Sequence, residues 1–172
     1  MTDFFQAAAQ LILTLEGVYS DDSNDPGGET KWGIARAAHP EIPDATWASF
    51  TRDDALTIYR AQYWDAHRCG AMPWAWALAI FDGSVNQGSV IALAQNTLGV
   101  HIDGKIGPET LDAMAVDATG GATERLDMFF AGRAVSYVAL KDFPKYGRGW
   151  FKRLFAVRAA CAAQPQPTEP SV

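Results

Sequence analysis

The sequence predicts a mainly α protein, with a small irregular or hairpin segment after its first helix and a set of packed helices in its C-terminal half. Three observations carry this reading. Apolar residues recur three and four apart in most segments, the period of a helix with one buried face. Helix start and stop residues punctuate the chain throughout. Of 172 residues, 48% are hydrophobic and 20% charged, enough for a sizeable core.

The elements follow in order. Phe4, Ala8, Leu11, Ile12 and Leu15 form the stripe of a first helix, which Thr2 or Asp3 can cap. Residues 18–34 are rich in Gly and Asp and are the best place for a short hairpin. Thr51-Arg52-Asp53-Asp54 is a capping box with Asp in place of Glu, and opens a helix carrying Ala55, Ile58, Tyr59 and Tyr63. Pro73 opens a helix over 74–86, with Trp74, Leu78, Phe81 and Val85 as its core stripe and Gly88 after its end. Ser89 is placed to cap 90–98, and Gly99 to stop it. Pro108 sits in the first turn of a helix near 109–116; residues 124–140 and 149–163 supply the last two. Residues 164–172 hold Pro165, Pro167 and Pro170 and are expected to be a disordered tail.

Two regions are expected, 1–88 and 89–163. Gly88-Ser89 joins two helices with no Pro- or Ser-rich spacer, so the regions should share a core. Their charges differ: residues 1–90 sum to -7 and residues 91–172 to +1. Lys141, Lys145, Arg148, Lys152, Arg153 and Arg158 face only Asp142 at the end of the chain. In the last helix, Phe151, Leu154 and Phe155 are expected inward and Lys152, Arg153 and Arg158 in solvent. A second reading sets that basic helix against an anionic polymer or membrane surface.

Composition excludes several classes. The net charge of -6 and pI near 4.9 argue against a nucleic-acid binder. No run approaches the roughly 18 apolar residues of a membrane span. His39, His67 and His101 are scattered and Cys69 and Cys161 lack ligand spacing, so neither metal nor cofactor is expected. The two cysteines are expected as buried thiols, although sequence leaves a bridge open. Asp3 precedes the first apolar run and no Lys or Arg comes before Lys31, unlike an export signal. The chain is expected to be made in the cytoplasm and to reach any outside target by another agent.

The segment from Glu16 to Ile34 is the richest in chemistry. Glu16 follows an apolar helix end, where the macrodipole and desolvation by Leu15 and Tyr19 both disfavour a charged carboxylate. Those are the conditions for a general acid. Asp25 and Thr30 follow, with the tight turn Pro26-Gly27-Gly28 between them. An acid, a second carboxylate and a hydroxyl around one cleft are equipment for hydrolysing a glycosidic bond. Asp22 is close enough to compete for the second role. A calcium loop fits less well, because Pro26 breaks the alternating ligands and the terminal bidentate Glu is missing.

Glu16-Gly17-Val18-Tyr19, the Asp25 to Thr30 run and Trp32-Gly33-Ile34 resemble the Glu-Gly-Gly-Tyr signature of glycoside hydrolase family 108. Val18 replaces the usual second Gly, and Ser23 stands where Pro is frequent. The resemblance implies a lysozyme-like catalytic lobe over 1–88 and an N-acetylmuramidase with Glu16 as catalytic acid. The Glu, Asp, Thr order is also similar to the triad of phage lysozymes, with Thr30 one residue closer. Tyr63-Trp64-Asp65 and Phe81 to Asn86 resemble the family's Tyr-Trp-Asp step and central-helix Asn. That makes Tyr63, Asp82 and Asn86 candidate substrate-binding residues, beside Trp32 as a sugar-stacking face. For Asp82 and Asn86, four apart on one helix, a satisfied buried pair is the competing reading.

Asp103-Gly104-Lys105-Ile106-Gly107-Pro108-Glu109-Thr110 resembles the turn of small helical peptidoglycan-binding modules, and Tyr146 to Arg153 the family's final segment. The resemblance implies hydrolysis of the β-1,4 bond between N-acetylmuramic acid and N-acetylglucosamine by a monomer acting on peptidoglycan glycan strands. A phage endolysin, held in the host cytoplasm until release to the periplasm and wall, is the expected setting. A lytic transglycosylase and a non-catalytic wall-binding or secretion-helper protein are the alternatives.

Overall fold

The computed structural model describes residues 4–16, 19–20, 29–119, 124–163 and 165, with backbone alone for Glu16, Tyr19 and Ser20. It is mainly helical, as expected, with eight α-helices and one small sheet among the described residues. The expected caps of the first helix, Thr2 and Asp3, and nearly all of the tail lie outside the described residues.

Helix α1 (Phe5–Glu16) buries Phe5, Ala8, Ala9, Ile12 and Leu13. Phe4, Leu11 and Leu15 flank that stripe half-buried. The sheet has three antiparallel strands of two residues each, β1 (Tyr19–Ser20), β2 (Thr30–Lys31) and β3 (Ile34–Ala35). Trp32 and Gly33 form the two-residue link between β2 and β3, at φ of 53° and 77°. Left-handed backbone at both positions is what a type I′ hairpin turn demands, and only the second is glycine.

Next come α2 (Asp44–Ala48) and α3 (Arg52–Ile58). The capping box is present, with Thr51 and Asp54 each bonding the other's backbone N–H. The same helix then widens into a π-helical stretch over Tyr59–Asp65, burying Tyr59 and Trp64. Sequence reasoning found neither α2 nor the π-helical stretch.

Helix α4 (Trp74–Asn86) is the axis of the molecule, and every residue from Trp76 to Gly83 is buried. One side meets the N-terminal elements: Phe5, Tyr59 and Trp64 place their rings 6.1, 6.0 and 5.4 Å from Phe81. The other side meets α5 (Val90–Leu98) and α8 (Phe143–Ala162), touches α6 (Pro108–Thr119) through Trp76, and touches α7 (Glu124–Val138) through Trp76 and Asp82. Trp74 Nε1 donates to Ala160 O (3.1 Å), Trp76 Nε1 to Asp117 Oδ2 (2.9 Å), and Cys161 Sγ to Ala75 O (3.3 Å). The buried apolar residues therefore form one core from Phe5 to Cys161. Gly83 allows the approach of α5, since a Cβ there would sit 3.0 Å from Val90 Cγ1.

Three local expectations are corrected. Ser89 precedes α5 but makes no side-chain cap, and its backbone is left-handed at φ 56°. Helix α8 begins six residues before the expected 149, because Pro144 serves its first turn and Gly147 lets the Phe143 ring lie close. Its buried face is Gly147, Leu154, Val157 and Cys161. That register turns Arg153 inward and leaves Phe155 66% exposed, the reverse of the expected arrangement.

Both cysteines are free and buried, as expected, and burial pushes each thiol up to about 12. The Asp103–Thr110 turn is built on Gln95, itself 1% exposed. Gln95 Oε1 accepts from Asp103 and Gly104 N–H, while Nε2 donates to Asp103 Oδ1 (2.7 Å) and Lys105 O. The Gln95 amide and the Lys105 N–H hold the Asp103 carboxyl below its ordinary range.

Candidate active site

Helix α1 ends at Glu16, and the chain turns back through the sheet. Ser20 pairs with Thr30 and Tyr19 with Lys31, so Thr30 returns to the chain only four residues beyond Glu16. The intervening segment carries Asp25. The side chain of Glu16 and all of Asp22 and Asp25 lie outside the described residues.

Thr30 has a defined face. Trp47 Nε1 donates to Glu29 Oε2 (2.7 Å), and Lys31 Nζ donates to Trp47 O (2.7 Å). Lys31 also lies 3.6 Å from Glu29 Oε1 and 5.4 Å from the Trp47 ring centre. Glu29 and Lys31 are thus both held on the Trp47 side of the strand. Side chains alternate along extended backbone, so Thr30 takes the opposite face. Glu29 is a nearby carboxylate already committed to Trp47.

Trp32 is half-buried, and its carbonyl accepts from the Tyr59 hydroxyl at 3.1 Å. Tyr59 is fully buried and its ring centre lies 5.9 Å from that of Tyr63, which is half-buried. Tyr59 therefore joins the Trp32 turn and Tyr63, two of the sequence-predicted contacts, through one side chain. A buried tyrosine needs a hydroxyl partner. Its position in a run of core aromatics gave no hint of which partner it takes.

Asp82 is corrected. It is fully buried, with Arg133 Nη2 2.8 Å from Oδ2 and Arg153 Nε 2.8 Å from Oδ1. It therefore does not line a sugar cleft. Asn86 donates to the Asp82 carbonyl (2.8 Å) and reaches Oδ1 at 3.5 Å, the geometry of the competing buried-pair reading. Asn86 itself is exposed and stands at a groove of about 510 Å³. Arg133 also bonds Gln87 and Tyr137, and the Tyr137 phenol is raised mainly by burial. Sequence reasoning missed Arg133 and put Arg153 in solvent, because the partner that buries them is distant in sequence.

The glycosyl hydrolase 108 family matches residues 9–88, from within α1 to the end of α4, and so spans Glu16, Asp25 and Thr30. The N-terminal half of this chain belongs to glycosyl hydrolase family 108. Residues 89–155 match the predicted peptidoglycan domain family. The protein is accordingly a glycoside hydrolase that degrades peptidoglycan, and peptidoglycan is its partner. Among solved structures the chain is similar to Brucella abortus SagA. The two share 29% identity, with a TM-score of 0.78 over 92% of this chain and 94% of that one. No curated protein matches the sequence.

Proposed function

We propose that this family 108 glycoside hydrolase is a muramidase cutting the β-1,4 bond between N-acetylmuramic acid and N-acetylglucosamine. The observation that carries the reading is the strand register: Thr30 is returned opposite Ser20, just past the helix end that bears Glu16. Within this reading Glu16 protonates the leaving oxygen, Asp25 takes a proton from the attacking water, and Thr30 holds that water. Water then attacks the face opposite the leaving group, and the anomeric centre inverts. Inverting enzymes separate their two carboxyls by roughly 6.5–9.5 Å, the separation this reading expects between Glu16 and Asp25. Trp32, Tyr63 and Asn86 contact the sugars.

The setting we infer is that of a phage endolysin acting as a monomer. It waits in the host cytoplasm and reaches the periplasmic wall after the inner membrane is breached. The test is product analysis. Digested peptidoglycan, reduced with borohydride, should yield muramitol ends. Anhydromuramic ends would identify a transglycosylase instead, and reduced glucosamine ends a glucosaminidase.

A further inference from the structure

Two grooves meet where α4 gives way to α5. One, of about 510 Å³, reaches toward Arg133, Ser136 and Leu140 on and beyond α7; the other, of about 450 Å³, reaches toward His67 and Gly104. Both are lined by Gln87, Gly88, Ser89, Val90 and Ala92, so they share a wall made by the first turn of α5. Their combined size suits a ligand larger than one sugar.

The shared wall has an unusual chemistry. A helix start presents backbone N–H groups without helical acceptors and the positive end of the macrodipole. Ser89 stands where a cap belongs, but its left-handed backbone is one that side-chain-bearing residues rarely adopt, and its hydroxyl makes no cap bond. The N–H groups of Val90, Ile91 and Ala92 are thus left without a side-chain acceptor from the cap. Independently, Arg133 lines the same groove while fully buried, and its Nη1 has no hydrogen-bond partner among the described residues. Asp82 and Gln87 occupy other nitrogens of that guanidinium. Among the described residues no carboxylate lines either groove, in a chain with 20 acidic residues. The remaining polar lining is amide and hydroxyl with the His67 imidazole, groups that can hydrogen-bond peptide units.

We propose that this double groove binds the stem peptide of peptidoglycan, with a peptide carboxylate on the first turn of α5 and Arg133 behind it. This rests on peptidoglycan being the substrate, and makes the junction of the two family regions a second substrate contact distinct from the Glu16–Thr30 segment.

The test uses the full chain and an Ala92→Trp variant, which fills the shared wall from a half-buried position on α5. Kinetics are measured on intact peptidoglycan and on glycan strands stripped of their peptides. The variant should raise KM on intact peptidoglycan about fivefold or more relative to its effect on stripped glycan. Equal effects on the two substrates overturn the proposal. In parallel, wild-type protein is titrated with N-acetylmuramyl-L-alanyl-D-isoglutamine while amide NMR signals are followed. Shifts of Val90, Ile91 and Ala92, absent with a neutral N-acetylglucosamine tetramer, support the site; silence at those amides overturns it. If wild-type protein cuts neither glycan, the muramidase reading falls, and the titration still decides the groove.

Discussion

The hydroxyl of Tyr59 donates to the carbonyl of Trp32 over 3.1 Å, tying a π-helical stretch to a left-handed hairpin turn. The turn follows Thr30 by two residues. Tyr59 is in turn wedged against Phe81 at the centre of α4. The axis of the core thereby sets the position of the strand that carries the candidate water-holding hydroxyl.

Replacing Tyr59 with Phe keeps the ring and removes that bond. The expected cost is about 1 kcal/mol of stability, typical of one buried hydrogen bond. The rate of wall hydrolysis should fall more than the stability loss explains, in kcat rather than KM. Denaturant titration beside steady-state kinetics checks this; a variant with wild-type kcat would detach Tyr59 from the site.

Asp82 should behave as a structural counter-ion. Asp82→Ala leaves Arg133 and Arg153 without the carboxylate they share, and breaking a buried pair this way costs about 3–5 kcal/mol. Thermal unfolding should show a large fall in Tm. A variant that keeps its Tm but loses substrate affinity would return Asp82 to the substrate contacts.

Asp103 gives a pH dependence with a definite sign. Its carboxyl is held below the ordinary range by Gln95, so the folded state favours the ionised form. The stabilisation is present above the unfolded value near 4 and is lost as pH falls through the lower folded value. Asp103→Asn should therefore flatten the acid limb of stability against pH, read by denaturant titration between about pH 2 and 6. An unchanged acid limb would contradict the assignment.

Cys69 and Cys161 should resist alkylation at neutral pH, since both are buried and both thiols lie near 12. Mass spectrometry after iodoacetamide should find neither labelled in native protein and both labelled in urea. Rapid native labelling would show that the helices around α4 open readily.

Some of this was legible in the sequence. Local signals were read correctly where neighbours in sequence decide the structure: the Thr51–Asp54 box, Pro73 before α4, and Gly99 after α5, left-handed at φ 73°. The small sheet lies in the Gly- and Asp-rich segment expected to hold a hairpin, with a third strand that runs one residue past it to Ala35. Reading failed where distant residues decide. Ser89 is a residue type that caps helices, but it has a left-handed backbone at the α4–α5 junction, where Gly83 and Val90 approach closely. Arg153 reads as a solvated base until Asp82, 71 positions away, is brought against it. The hydroxyl partner of Tyr59 and the π-helical widening of α3 leave no local pattern at all.

The central claim is that Glu16 is the general acid of a muramidase, and Glu16→Gln tests it most directly. The amide keeps the shape of the carboxyl but cannot give a proton to the leaving oxygen, a contribution of about 10²–10⁴-fold to the rate. Turbidity loss of outer-membrane-permeabilised cells is measured for wild type and variant, with circular dichroism and Tm as controls of folding. The account predicts an unchanged Tm and lysis reduced by about a hundredfold or more. A folded Glu16→Gln protein that keeps more than about a tenth of wild-type lysis would contradict it.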